Sequence, residues 1–171
     1  MNKILSLIVI GLMVAQCQSS QEKKSHPTYD QLIEMNRSLV LEDSVDISKY
    51  VKESKLDFKI SGRGLWVYVK DVGKGDLIRK NDVVELKYNL KLLNGEACYN
   101  SDSLGLKRFK VGQGGVESGL EEGVLLLRKG AMASFILPPH LAHGLTGDQD
   151  NIPGRAILLY DIEVVRVNDE H

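Results

Sequence analysis

The sequence predicts an α+β domain, about five antiparallel strands wrapped around one short helix, with a short N-terminal helical arm. Three observations carry that reading. From Leu65 onward apolar residues recur at every second position, the period of half-buried strands. Asn94-Gly95, the strongest short hairpin signal, follows directly on one such run. A single stretch, Gly119 to Leu127, interrupts the alternation with helical spacing, acidic residues in its first turn and basic residues at its end.

Taken in order, the chain opens on Lys3 and an apolar run from Ile4 to Ala15 in which Ser6 is the only polar residue. That run is shorter than the roughly 20 residues a membrane-spanning helix needs and fits a secretory signal, assigned to residues 1–16. Val14-Ala15-Gln16-Cys17 resembles a lipobox, which implies cleavage before Cys17, lipidation of that cysteine and attachment to a membrane. Gln16 departs from the pattern, where a small residue is usual; the alternative is an ordinary cleaved signal beside a chance cysteine. Gln18 is not the aspartate that retains many such proteins at the inner membrane, so the resemblance implies the periplasmic face of the outer membrane. Cys98 is then left without an intramolecular partner and reads as a small strand residue.

Residues 17–27 read as a tether and residues 28–64 as the helical arm. Thr28 caps a first helix with Leu32, Met35, Leu39 and Val40 on one face; Glu42, Asp43 and Ser44 break it, and Ile47, Tyr50 and Val51 mark a second. Helices this short need a surface to pack on, so homodimerisation through residues 28–54 is expected, with packing on the main domain as the alternative. Residues 65–168 form the main domain. Leu65 to Lys70 is its first strand; Val84, Leu86, Tyr88, Leu90 and Leu92 give the second a buried face; Ala97 to Tyr99 returns antiparallel. After the helix, Gly130 supplies a stop, Ala131 to Leu137 is a strand, and Ala156 to Val167 closes the domain.

Charge excludes some functions. The 22 basic and 23 acidic residues are spread along the chain with no basic stripe, so nucleic acid is not an expected partner. His140 and His143 sit in a Pro/Gly-rich loop without a thiolate or a metalloprotease helix pattern, and no metal is expected. Asp148-Gln149-Asp150 has Leu159 where a calcium loop needs its closing acid. Gly112, Gly114, Gly115 and Gly119 lack phosphate-loop or dinucleotide spacing, so no cofactor is expected.

Several segments, in order, resemble the FKBP-type peptidyl-prolyl cis-trans isomerases across residues 65–168: Val84-Glu85-Leu86-Lys87-Tyr88, Gly119-Leu120-Glu121-Glu122-Gly123, Ile136-Leu137-Pro138-Pro139, Ala142-His143-Gly144, Ile152-Pro153 and Leu158-Leu159-Tyr160-Asp161-Ile162-Glu163. The start of the chain and its arm also resemble the FKBP-type gliding-motility lipoproteins of gliding bacteria. The resemblance implies a pocket of Tyr88, Tyr99, Asn100, Phe109, Val116, Glu117, Leu120, His143, Ile152 and Tyr160, and proline-containing polypeptide clients. It casts the Glu117 backbone N–H as the donor to a bound peptide. Four positions depart from the family pattern: Leu120 for the tryptophan floor, His143 for a hydroxyl-donating tyrosine, Asn100 for aspartate, and Lys107-Arg108-Phe109 for an aromatic pair. Such a site would speed prolyl rotation by desolvating the imide, at reduced activity given these changes. The alternative is a chaperone or binding module of a membrane-associated machine that keeps the fold with little catalysis.

Overall fold

The computed structural model describes residues 26–168. The signal segment, Cys17 and most of the tether lie outside the described residues. The chain divides into two compact units, residues 1–35 and Asn36–His171.

A single helix, α1 (Tyr29–Ser54), replaces the two short helices expected from the sequence. Its start is a reciprocal cap: Thr28 N–H donates to Gln31 Oε1 at 2.8 Å and Gln31 N–H to Thr28 Oγ1 at 3.4 Å. No glycine or proline lies between Tyr29 and Ser54, so Glu42, Asp43 and Ser44 continue the helix, and Ser48 returns its hydroxyl to the Ser44 carbonyl at 2.7 Å. The helix ends at Lys55, which takes the left-handed conformation at φ 59°. In the first unit the described part of α1 leaves Tyr29, Leu32, Ile33 and Met35 exposed.

The second unit is built on a seven-stranded antiparallel sheet, counted among the described residues. Its strands are β1 (Lys59–Ile60), β2 (Trp66–Asp71), β4 (Val83–Leu92), β5 (Ala97–Asn100), β6 (Lys107–Lys110), β8 (Met132–Leu137) and β9 (Leu158–Asn168). The order is β1-β2-β8-β9-β4-β5, with β6 also on β4; β3 (Lys74–Leu77) and β7 (Arg128–Lys129) form a separate small ribbon. The sequence reading missed β1, β3, β6 and β7, each too short to show a period. The hairpin falls where Asn94-Gly95 places it: Gly95 N–H donates to Leu92 O at 2.9 Å, Gly95 adopts φ 92°, and Asn94 Oδ1 accepts from Glu96 N–H at 3.0 Å.

Alternation along β4 and β9 puts Val84, Leu86, Tyr88, Leu90, Leu158, Tyr160, Ile162 and Val164 into one core with Phe135 and Leu137 of β8. The helix α3 (Ser118–Val124) contributes Leu120 and Val124 to it. This helix stops earlier than the expected Leu127 because the chain tightens into i→i+3 turns, with Leu126 N–H on Gly123 O at 3.1 Å and Leu127 N–H on Val124 O at 3.0 Å. The opposite face of the sheet is covered as well: Ile136 and Leu159, out of phase with the inner set, pack with Phe58 and with Ile47 of α1. Asp43, one turn before Ile47, is held by Arg155 at 3.1 Å. Burial pushes the Asp43 carboxyl up, and Arg155 offsets part of that rise.

Gly123 sets how closely α3 approaches the sheet. A methyl group there would overlap the fully buried Phe135 ring, as one on Gly119 would meet Leu137 Cγ at 2.7 Å. Gly123→Ala is therefore expected to destabilise the domain by about 1–3 kcal/mol despite its gain in helix propensity, read as a fall in the urea midpoint with unchanged m-value.

Candidate functional site

Five side chains from five segments converge on the inner face of the sheet. Tyr88 of β4 and Tyr160 of β9 are brought together by a register that pairs Leu90 with Tyr160 and Tyr88 with Ile162. Their ring centroids are 6.1 Å apart at 49°. Glu117 precedes α3, His143 follows a short 3-10 turn at Pro139–Leu141, and Lys107 opens β6. Lys107 lies two residues before the buried Phe109, so the strand period turns both inward and leaves Arg108 outside.

The centre is ionic. Tyr160 O–H donates to Glu117 Oε1 at 2.7 Å and accepts from Lys107 Nζ at 2.9 Å. Lys107 Nζ stands 3.4 Å from Glu117 Oε2, and His143 Nε2 stands 3.2 Å from Glu117 Oε1. The ammonium also faces the Tyr88 and Tyr160 rings, 5.2 and 5.3 Å from their centroids. Burial pushes the Glu117 carboxyl up, but Lys107, the Tyr160 hydroxyl, its own backbone N–H and His143 together hold it below its ordinary value. The same burial, with Glu117 adjacent, drives the Tyr160 phenol far above the usual tyrosine range, so its proton stays on oxygen.

Of the residues expected from the sequence, Tyr88, Glu117, His143 and Tyr160 meet in this cluster. Phe109, Leu120 and Ile152 are buried in the core behind it, and Val116 packs on that core half-buried. Tyr99 and Asn100 serve other contacts. Asn100 caps the short helix α2 (Ser101–Leu104), its Oδ1 accepting from Ser103 N–H at 2.9 Å. Tyr99 O–H donates to Asp148 Oδ2 at 2.5 Å and lies 3.2 Å from Asp150 Oδ2. Sequence reasoning missed Lys107 as a member of the site, counting it only as a lost aromatic; its spacing from Phe109 was the available signal.

Asp148 organises the loop beside the site. Burial favours its protonated form, but the Tyr99 hydroxyl and the backbone N–H groups of Asp150 and Ile152 prevail and lower its pKa. Asp148→Ala is expected to speed amide hydrogen exchange at Ile152, whose N–H donates to Asp148 Oδ1 at 2.8 Å, by about tenfold or more. Amides of β4 serve as the unchanged reference.

The FKBP-type peptidyl-prolyl cis-trans isomerase family model matches residues 75–165. A probable FKBP-type peptidyl-prolyl cis-trans isomerase of Haemophilus influenzae is 35% identical over 113 residues, covering 66% of this chain and 46% of that protein. The chain thus spans about half the length of that relative. The crystal structure of AtFKBP13 superposes with a TM-score of 0.63 at 30% identity, covering 66% of this chain and 99% of that one. FkpA from Escherichia coli shares the fold at a TM-score of 0.64 and 23% identity, covering 98% of this chain and 84% of that one. The matched segment contains Tyr88, Lys107, Glu117, His143 and Tyr160, and the chain belongs to the FKBP-type peptidyl-prolyl cis-trans isomerase family.

Proposed function

We propose that this protein is a peptidyl-prolyl isomerase of reduced activity that assists exported, proline-containing clients while anchored to a membrane through Cys17. The observation that carries the reading is the Tyr88–Tyr160 pair, 6.1 Å apart over a buried apolar floor of Leu120, Phe109 and Ile152. Rotation about a prolyl imide faces a barrier of about 18–20 kcal/mol and breaks no bond, so neither nucleophile nor metal is required. Aromatic walls that exclude water disfavour the charge-separated planar amide relative to the twisted one. Relief of about 5 kcal/mol would be a several-thousand-fold acceleration. The purified protein is expected to accelerate cis-to-trans conversion of a prolyl tetrapeptide, and Leu120→Trp, which restores the family's floor residue, is expected to raise its kcat/KM. Rates equal to buffer from the folded protein would overturn the reading.

The ion pair at the centre of the site favours a second reading, a chaperone or binding module of a membrane-associated machine with little catalysis. Suppressed aggregation of an unfolded client lacking proline, without isomerase activity, would select it. Anchoring is tested by Cys17→Ser: full retention on membranes after a carbonate wash would rule it out, and fractionation of anchored protein tests placement at the periplasmic face of the outer membrane. Exposed Tyr29, Leu32, Ile33 and Met35 support pairing of two copies through residues 28–54. Light scattering of the wild type and Ile33→Asp tests this without uncovering Ile136 and Leu159, as truncation of the arm would. Equal monomeric masses would eliminate the dimer.

A further inference from the structure

The isomerase reading leaves Lys107 without a role. Its side chain is only 23% exposed, and its ammonium stands 5.2 and 5.3 Å from the Tyr88 and Tyr160 ring centroids. A proline ring packed on those tyrosines would take the place the ammonium now holds. We propose that Lys107 determines which prolyl segments the site accepts, swinging to the rim as proline enters and pairing there with a carboxylate beside that proline. The inference rests on the isomerase reading of the same site.

The geometry makes the ammonium displaceable. Its contact with Glu117 Oε2 is 3.4 Å, longer than the roughly 2.7–2.9 Å of a strong charge-assisted hydrogen bond; its shorter bond, 2.9 Å to the Tyr160 hydroxyl, is one that water or a client carboxylate at the rim can replace, and a four-carbon stem lets it move without the backbone. When Lys107 leaves, Glu117 loses its closest cation but keeps Tyr160 O–H at 2.7 Å and His143 Nε2 at 3.2 Å on its Oε1. The displaced lysine loses its counterion: among the described residues Glu117 is the one carboxylate it pairs with. A client glutamate restores that pairing; a client lysine meets repulsion. Asp148 and Asp150, engaged by the Tyr99 hydroxyl and backbone N–H groups, act alike on wild type and Lys107 variants, so a comparison between the two isolates Lys107.

The test uses three matched peptides with Glu, Leu or Lys before proline, measuring Kd by titration and kcat/KM by isomerisation. The proteins are wild type, Lys107→Met and Lys107→Met/Glu117→Gln; the double variant removes both charges and keeps the test open if the single variant does not fold. Wild type is expected to bind the Glu peptide about tenfold more tightly than the Lys peptide, less so in high salt. Without Lys107 the ratio should fall to within about twofold, and the Leu peptide should bind more tightly than it does to wild type. Equal Kd values for the Glu and Lys peptides in wild type, or an undiminished ratio in the variants, would overturn the proposal. An intact charge preference in Kd without any isomerisation would overturn the isomerase reading and leave selection by Lys107 standing. Failure of every peptide to bind would overturn both.

Discussion

Lys107→Ala is expected to lower the free energy of unfolding at pH 7 by about 2–4 kcal/mol. Removing one partner of a buried ion pair typically costs about 3–5 kcal/mol, because the other charge is left in a poor solvent. The figure is discounted here because Lys107 is 23% exposed and the Tyr160 hydroxyl and His143 stay on Glu117, itself 5% exposed. The pH dependence gives the sign. In the wild type the Glu117 carboxyl lies below its ordinary 4.5, so its contribution is complete above that value and is lost as pH falls through the lower, folded value. Without Lys107, the strongest of the lowering influences, the carboxyl holds its proton to higher pH than in the wild type. The variant's deficit should therefore shrink as pH falls from 7 into the carboxylate range, where the buried acid of the variant takes up a proton before that of the wild type. Urea titrations at pH 7 and in that lower range check this, and Lys107→Met/Glu117→Gln should recover most of the loss. A single variant as stable as wild type at pH 7 would show that the pair contributes nothing.

A larger loss is expected from Tyr160→Ala, about 4–5 kcal/mol, together with a fall in kcat/KM of at least about tenfold. Tyr160 is fully buried near the start of β9, and truncating a buried aromatic costs about 3–5 kcal/mol in transfer energy and cavity formation. The hydroxyl adds to this, since it donates to Glu117 and accepts from Lys107 and its removal leaves both short of a partner. Tyr160→Phe separates the two terms: it keeps the ring and should cost about 1–3 kcal/mol. Equal losses for the two variants would mean that the hydrogen-bond network, and not packing, dominates at this position. The activity falls because the ring is one of the two aromatic surfaces on which the isomerase reading rests.

What the sequence disclosed follows from which forces are local. Val84 to Leu92 and Leu158 to Val164 alternate because one face of each strand is buried along its whole length, and that pattern is written in consecutive residues. The continuity of α1 was hidden because Asp43 looks like a helix interruption until Arg155, far along the chain, is seen to hold it. The strands β1 and β3 are mostly exposed and too short to carry a period, so only their partners define them. In the site, the positions of Tyr88 and Tyr160 were legible from the resemblance. The polarity of its centre was not, because it depends on four side chains from four separate segments meeting within hydrogen-bond reach. Lys107 could have been placed on the inner face from Phe109, but nothing local shows that Glu117 turns its carboxylate toward it.

The position of β9 has a consequence for how the molecule is made. It is the last strand among the described residues, yet it lies between β8 and β4, pairing Leu137 with Leu158 on one side and Val83 with Asn168 on the other. A chain synthesised from its N-terminus can form the β4–β5 hairpin and the β2–β8 pair early, but both present open backbone edges until the final segment arrives. Contacts this distant in sequence close slowly, and unpaired edges are sites of intermolecular strand addition. The interval between emergence of β8 and insertion of β9 is then the period of greatest aggregation risk. Loss of residues 158–168 would leave two sheet fragments with exposed edges, each lacking the strand that joins them.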